Sequence, residues 1–106
     1  MFLLRGLTQL NTYLSNTKGF KLVCFITGTC LPCEDLIREL EKLEREISNK
    51  MTFFLVNIEE NISEAEKFGI PGVPYTQIYD EENNKVCEVL GINLQDLLSC
   101  IKKLTS

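Results

Sequence analysis

Apolar residues along the chain follow two patterns, one typical of strands and one of helices. The segment from Phe20 to Thr27 is almost continuously apolar and rich in β-forming residues, which predicts a central strand buried on both faces. Thr52 to Ile58 has the same character. Between these segments apolar residues recur at a helical spacing, which predicts a helix from about Pro32 to Asn49. Its apolar stripe consists of Leu36, Leu40, Leu43 and Ile47.

Shorter elements flank this strand–helix–strand centre. Before it, we predict a strand over Phe2–Leu4 and a helix over Leu7–Ser15. After it, Asn61 resembles the N-cap of a short helix, and the polar residues 80–84 predict a turn between two further strands. Asn93 is predicted to cap the last helix. The resulting order, βαβαβαββα, indicates an α/β fold in which helices flank a central mixed β-sheet on both faces.

Composition and charge narrow the range of functions. The chain has 106 residues, 44% hydrophobic and 25% charged, which predicts one soluble globular domain spanning residues 1–106. The net charge is −4 and there is no basic stripe, so we expect no nucleic-acid partner. The absence of histidine excludes His-dependent triads and histidine metal sites. The longest apolar run, Leu22–Ile26, is too short to span a membrane, and residues 1–5 are too short for a signal peptide.

One pair of cysteines carries the candidate chemistry. Of five cysteines only Cys30 and Cys33 are close in sequence, unlike the framework of a secreted disulfide-rich protein, so we expect a cytoplasmic location. The motif Cys30-Leu31-Pro32-Cys33 lies between a predicted strand and a predicted helix. Its spacing brings the two sulfurs within bonding reach, and the helix N-terminus favours the thiolate of Cys30. Pro32 suits the first helical turn, so the motif predicts a redox-active pair.

Two other interpretations of the motif stay open at this point. A structural zinc site needs four ligands, usually as two paired motifs, whereas Cys24, Cys87 and Cys100 are single. The prediction therefore contains no metal. A redox-inactive pair is the second alternative. We interpret Cys87 and Cys100 as packing residues, with Cys100 near the edge of the apolar stripe of the last helix.

The motif and three further segments resemble the thioredoxin family over nearly the whole chain. The family's active-site loop usually reads Trp-Cys-Gly-Pro-Cys, and this chain has Thr29 to Cys33 in its place. Phe54–Glu59 resembles the family's third strand, and Phe68–Pro74 resembles its Tyr-Gly-Ile-x-Gly-Ile-Pro segment. Gly91 falls where the family has a glycine before its last helix. The combination of a CxxC loop with a distant Gly-Val-Pro is the discriminating feature.

The resemblance implies a thioredoxin fold and a thiol–disulfide oxidoreductase with Cys30 and Cys33 as catalytic residues. It implies protein disulfides as substrates, a thioredoxin reductase or similar NADPH-dependent reductase as electron donor, and a monomer without a bound cofactor. It also implies a cis bond between Val73 and Pro74, which leaves the Val73 backbone free to pair with a substrate. A trans proline at the start of an edge strand is the alternative. The substrate-binding residues it implies are Thr29, Leu31, Pro32, Gly72, Val73, Pro74 and Gly91.

Three positions depart from the family pattern. Thr29 replaces a tryptophan, so a flat apolar rim is missing. The family's buried aspartate beneath the second cysteine falls at Cys24, and its lysine partner falls at Leu55. We therefore expect Cys24 to be a small buried apolar residue and the mixed disulfide to resolve more slowly. The negative charges of Glu34 and Asp35 are expected to oppose the thiolate in part.

Two other functions are compatible with this fold. A glutaredoxin-like, glutathione-dependent oxidoreductase often has proline directly after the first cysteine, whereas Pro32 comes second here, and no Gly-Gly pair lies near the C-terminus. A non-enzymatic thioredoxin-like binding module is the other alternative, and the loss of the tryptophan and the buried aspartate favours it. Binding to a partner that survives replacement of both motif cysteines would distinguish the module from an enzyme.

Overall fold

The computed structural model describes residues 1–105, and these residues form five strands and four α-helices in the order predicted from the sequence. Ser106, the last residue of the predicted domain, lies outside the described residues. The strands are β1 (Phe2–Arg5), β2 (Phe20–Ile26), β3 (Met51–Asn57), β4 (Tyr75–Tyr79) and β5 (Lys85–Leu90). The helices are α1 (Leu10–Ser15), α2 (Leu31–Ile47), α3 (Ile62–Lys67) and α4 (Leu94–Thr105).

The sheet separates two hydrophobic cores because successive side chains of a strand point to opposite faces. On β2, Leu22 and Cys24 belong to the first core, whereas Val23 and Phe25 belong to the second. Residues of α2 and α4 complete the first core, and residues of α1 and α3 complete the second. The central strands are therefore buried on both faces, as their continuous apolar pattern predicted.

The strand order in the sheet is β1-β3-β2-β4-β5. β3 runs parallel to β1 and β2, whereas β4 is antiparallel to β2 and β5, so the predicted mixed sheet is confirmed. Because β2 and β4 are antiparallel neighbours, the end of β2 and the start of β4 lie at the same end of the sheet, where Phe25 pairs with Tyr75. The segments that follow β2 and precede β4 are therefore brought together.

One helix start differs from the prediction, and one predicted capping hydrogen bond is absent. α1 begins at Leu10 rather than at Leu7, although Leu7 is buried in the same core as the helix. Asn61 precedes α3 as expected but makes no capping hydrogen bond, and it ends a short 3₁₀ turn over Glu59–Asn61. Its side chain instead lies over Gly6, where an added Cβ would come within 2.2 Å of Asn61 Oδ1.

The last helix begins as predicted. Oδ1 of Asn93 accepts a hydrogen bond from the backbone N–H of Asp96 over 3.1 Å, and Nδ2 of Asn93 donates to the Asp96 carboxylate over 2.9 Å. This is the N-cap arrangement that satisfies an otherwise unpaired donor in the first turn. In residues 1–105, no helix has the length and apolar character needed to cross a bilayer.

Candidate active site

Cys30 occupies the position immediately before α2. Its backbone is extended, and its Sγ accepts a hydrogen bond from the backbone N–H of Cys33 over 3.2 Å. The Cys30 sulfur thus acts as the helix cap. The start of α2 supplies unpaired N–H groups and the positive end of the helix dipole, and both favour a thiolate on Cys30. The placement of the first cysteine at the helix N-terminus, predicted from the motif, is confirmed.

The two cysteines of the motif differ in access. Cys33 lies in the first turn of α2 and is only 1% exposed, whereas Cys30 is half-buried and the intervening Leu31 is 73% exposed. Their Cα atoms are 5.2 Å apart, and the sulfurs are joined in a disulfide. An incoming group therefore reaches the sulfur of Cys30 more easily than the sulfur of Cys33.

The segment before β4 lies at the same end of the sheet as this pair. β2 ends just before the cysteine loop, and β4 begins beside it. The peptide bond between Val73 and Pro74 is cis. Val73 and Cys30 both pack against the first core, which contains Cys33. The structure thus brings together two motifs that are about forty residues apart in the sequence.

The turn at Gly91 borders the same segment. The N–H of Gly91 donates a hydrogen bond to the carbonyl oxygen of Pro74 over 2.8 Å. Gly91 has a φ of +79°, a conformation that glycine adopts without steric cost. Leu90 lies next to Gly72: a Cβ atom added at Gly72 would be 3.7 Å from Cδ1 of Leu90. The sequence-predicted binding residues around position 73 and Gly91 are therefore neighbours.

Apolar side chains are exposed in the cysteine motif and beside the segment before β4. A cleft of about 180 Å³ opens beside Val73, and Thr27, Ile62 and Pro71 contribute to its walls. The predicted binding residues Thr29, Leu31 and Pro32 are all exposed. Leu90, on the other side of the segment, is 56% exposed. The molecule therefore presents several aliphatic side chains at the end of the sheet where the cysteine motif lies.

Comparison with known sequences identifies the family. The family model described as Thioredoxin matches residues 6–103. The chain belongs to the thioredoxin family. The thioredoxin of Buchnera aphidicola subsp. Acyrthosiphon pisum is 34% identical to it over 86 residues, which cover 78% of this chain and 80% of the relative. The thioredoxin of Chlamydia caviae is 34% identical over 80 residues, covering 76% of each chain.

Solved thioredoxin structures share the fold over nearly the whole chain. The Fasciola hepatica thioredoxin superposes with a TM-score of 0.85 at 24% identity, covering 99% of this chain and 100% of that one. The Trichomonas vaginalis thioredoxin gives a TM-score of 0.85 at 20% identity, with 97% and 96% covered. The thioredoxin fold implied by the sequence resemblance is confirmed.

A buried thiol takes the place of the aspartate expected in a thioredoxin. Cys24 is fully buried and is paired in register with Leu55 on β3 and Thr76 on β4. Burial raises the pKa of the Cys24 thiol from 9.0 to about 11, although the Thr76 hydroxyl acts in the opposite direction. The thiol is therefore neutral at physiological pH, and this position supplies no carboxylate near Cys33. The predicted role of Cys24 as a small buried residue agrees with its burial.

Acidic side chains lie close to the motif. Glu34 is exposed in the first turn of α2, and Asp35 forms an ion pair with Arg38. Glu59 follows β3 and lies against the cysteine loop, because an added Cβ at Gly28 would be 3.2 Å from Oε2 of Glu59. Nowhere in the described chain do three or more cysteine, aspartate or glutamate side chains form a group that could hold a metal ion.

A second cysteine pair was not predicted. Cys87 of β5 and Cys100 of α4 are joined by a disulfide, with Cα atoms 6.5 Å apart. Their interpretation as packing residues is incomplete, although both do pack against the first core. The sequence contained a signal, because Cys87 is two residues from the inward-facing Val89 and Cys100 is three residues from the inward-facing Leu97. Both spacings place the cysteine on the inner face of its element.

Proposed function

We propose that this thioredoxin-family protein reduces protein disulfides through a dithiol–disulfide cycle of Cys30 and Cys33. The observation that carries the proposal is the different access of the two sulfurs. Cys30 caps α2 and can be reached, whereas Cys33 is buried directly behind it. Membership of the thioredoxin family supports this chemistry more than a glutaredoxin-like cycle with glutathione.

In the first step the Cys30 thiolate attacks one sulfur of the substrate disulfide. A bond forms between Sγ of Cys30 and that sulfur while the substrate S–S bond breaks, and the second substrate sulfur leaves as a thiolate. The N–H of Cys33 and the dipole of α2 stabilise the negative charge on Sγ of Cys30 before the attack. Attack begins at Cys30 because its sulfur is the accessible one.

In the second step Cys33, as a thiolate, attacks Sγ of Cys30. The intramolecular disulfide forms and the mixed disulfide breaks, so the remaining substrate sulfur leaves. In total the substrate gains two electrons and two protons, and the cysteine pair loses them. Cys33 must give up its proton in a place where the nearby Cys24 thiol is neutral and a poor proton acceptor. We therefore assign that proton to water.

Substrate recognition uses backbone as well as side chains. Val73 precedes β4 and lies outside its paired registers, so its backbone groups are open to an extended substrate segment. Leu31, Leu90 and the cleft beside Val73 provide apolar contacts in place of the missing tryptophan. Because backbone pairing does not depend on side-chain identity, such a site accepts many protein disulfides.

The cycle is completed by a two-electron donor. The donor proposed is a thioredoxin reductase or a similar NADPH-dependent reductase, which returns two electrons and two protons to the Cys30–Cys33 disulfide. We place the reaction in the cytoplasm and propose that the protein acts as a monomer without a bound cofactor. Coupled oxidation of NADPH by a purified reductase tests the identity of the donor.

The cycle is tested by comparing Cys30→Ser and Cys33→Ser with insulin as the protein disulfide. The Cys33→Ser variant is expected to accumulate a mixed disulfide with an insulin chain, visible by mass spectrometry under non-reducing conditions. The Cys30→Ser variant lacks the attacking sulfur and is expected to accumulate none. Both variants should lose more than about 100-fold in steady-state turnover, because the two residues act as one unit.

Each variant controls for the other, since both remove one sulfur from the same turn. Full turnover by both variants would exclude the cycle.

A non-enzymatic binding module is the alternative function, and the residues that favour it are Thr29 and Cys24, which replace the tryptophan and the aspartate of the family. A partner protein that binds the double Cys30→Ser/Cys33→Ser variant as tightly as the unmodified chain would support the module.

A further inference from the structure

Cys87 and Cys100 lie on two elements that meet at the edge of the sheet, and a disulfide joins them there. Cys87 lies in β5, the edge strand that pairs with β4, and Cys100 lies in the middle of α4. Their Cα atoms are 6.5 Å apart, within the range that a disulfide spans. Both side chains are half-buried against the first core, so each is partly accessible to small reagents.

The packing of α4 does not depend on this bond alone. Leu97 is 1% exposed and Ile101 is 4% exposed, and both belong to the first core. Asn93 caps the start of the helix. These contacts hold α4 on the sheet whether or not the two sulfurs are joined. A chain with reduced Cys87 and Cys100 is therefore expected to stay folded, which is the condition for a reversible pair.

The segment between Cys87 and Cys100 extends to the candidate active site. Cys87 and Cys100 are 13 residues apart, and the segment between them includes Leu90 and Gly91. Gly91 donates its hydrogen bond to Pro74, and Leu90 contacts the Gly72 position. A bond between the cysteines closes this segment into a ring. The ring restricts the motion of the turn that borders the catalytic pair.

We propose that Cys87 and Cys100 form a second, reversible thiol–disulfide pair, whose oxidation joins β5 to α4 and restrains the Gly91 turn beside the active site. The existence of the pair is independent of the proposed function, whereas its effect on substrate reduction rests on that function. Such a pair makes the substrate-binding rim responsive to the thiol–disulfide balance around the protein.

The oxidant is a low-molecular-weight disulfide such as glutathione disulfide. The thiolate of one cysteine attacks this disulfide, so a mixed disulfide forms, the glutathione S–S bond breaks, and one glutathione leaves as a thiolate. The second cysteine, as a thiolate, then attacks the protein sulfur of the mixed disulfide, which breaks, and the second glutathione also leaves as a thiolate. The two released thiolates take up the protons that the cysteines lost. The two cysteines lose two electrons and two protons in total, and the glutathione disulfide gains them. Excess reduced glutathione reverses both steps.

The test uses the Cys30→Ser/Cys33→Ser variant, which cannot carry out the proposed cycle. It keeps three cysteines, and Cys24 serves as an internal reference because it has no disulfide partner. The variant is equilibrated with glutathione buffers of increasing oxidised fraction, quenched in denaturant with an alkylating reagent, and weighed by mass spectrometry. The expected result is a reversible change from three alkylated thiols to one, without a stable glutathione adduct.

Two results of this titration would overturn the proposal. One is three alkylated thiols, or single glutathione adducts, at every ratio, because then the two sulfurs do not pair. The other is a disulfide that is reduced only after the chain is unfolded, because then the bond is a permanent structural link. Neither result depends on substrate turnover, so failure here is distinct from failure of the proposed function.

The restraint on the turn is tested separately by amide hydrogen exchange of Gly91 in the same variant. The Gly91 N–H is expected to exchange several-fold more slowly in the oxidised form than in the reduced form. The melting temperature is expected to rise by about 10 °C on oxidation, because the closed ring lowers the entropy of the unfolded chain. Adding Cys87→Ser and Cys100→Ser should abolish both differences. Equal Gly91 exchange in the two forms would overturn the proposed restraint.

Discussion

At the scale of single residues, Cys24 offers no base for the proton that the proposed cycle removes from Cys33. Cys24 is neutral over the physiological range because its pKa is about 11, so it offers no base. We expect the release of the mixed disulfide to accelerate about tenfold per pH unit while Cys33 remains mostly protonated, because only its thiolate attacks. Single-turnover release of substrate, followed between about pH 6 and pH 9, measures this dependence.

The Cys24→Asp variant tests the same point by restoring a carboxylate. Its release rate is expected to depend less on pH than that of the unmodified chain, because the carboxylate accepts the proton of Cys33. Cys24→Asn is the matched control, since it has the same shape without the charge, and should keep the steep dependence. A rate that is independent of pH in the unmodified chain would contradict the interpretation.

The stability of the fold should also depend on Cys24 at alkaline pH. The thiol ionises near pH 9.0 in the unfolded chain and near pH 11 in the folded chain. The unfolded state therefore loses its proton first. The contribution of the neutral Cys24 thiol to the free energy of unfolding is complete below pH 9.0 and declines as the pH rises towards 11. The whole of this contribution is about 2–3 kcal/mol.

Urea unfolding of the oxidised protein at several pH values measures this loss. The oxidised form is suitable because the other four cysteines are in disulfides and do not titrate. Cys24→Ala is expected to be less stable at pH 8 because of its cavity, but to lose less free energy of unfolding above pH 9.0. If the free energy of unfolding declined equally with pH in the two proteins, Cys24 would not be the titrating group.

At the scale of elements, the two predicted caps are not equivalent. Asn93→Ala is expected to reduce the free energy of unfolding by about 1 kcal/mol, because its Oδ1 caps the N–H of Asp96. Asn61→Ala should cost clearly less, because Asn61 makes no capping hydrogen bond. Denaturant unfolding of the two variants measures the difference. A larger loss for Asn61→Ala would contradict the assignment of the caps.

This difference also shows what the sequence could predict about elements. The strands β2 and β3 were predictable because burial on both faces leaves a continuous apolar pattern that needs no other information. The missing cap at Asn61 was not predictable, because the residue type permits a cap, whereas contact with Gly6, which is distant in the sequence, decides where the side chain lies. The local pattern of apolar residues therefore predicts where an element lies better than it predicts the hydrogen bonds at the ends of that element.

The same limit separates the two cysteine pairs. The Cys30–Cys33 pair was predictable because both residues belong to one strand–turn–helix unit, and the short spacing alone brings the sulfurs together. Cys87 and Cys100 meet only because α4 folds back over β5. The spacing along each element predicts that its cysteine faces inward. The contact between the two elements depends on the tertiary fold and is not predictable from either pattern.

At the scale of the whole molecule, charge is expected to bias the choice of substrate. The net charge is −4, and the exposed Glu34 and the nearby Glu59 border the active-site loop. A disulfide peptide with flanking lysines should be reduced several-fold faster than the same peptide with flanking glutamates at low ionic strength. The difference in kcat/KM should shrink in high salt, which screens charges over a few ångströms.

A pair of charge variants locates the source of this bias. Glu34→Gln is expected to narrow the difference between the two peptides, because Glu34 lies beside the motif. Glu81→Gln changes the net charge equally, but it lies in the β4–β5 turn at the opposite end of the sheet, so it should have little effect. Equal effects of the two variants, or faster reduction of the glutamate peptide, would refute a local charge preference.

The strand order β1-β3-β2-β4-β5 has a consequence for the chain as it leaves the ribosome. β1 is made first, yet the strand that it pairs with, β3, ends at Asn57. Once β3 has emerged, β1, β3 and β2 can pair, but the second edge of β2 stays open until β4 is made. Cys30 and Cys33 thus emerge before Val73, Pro74 and β4, so the nascent chain carries both thiols for a time without the segment that packs with Cys30 against the first core.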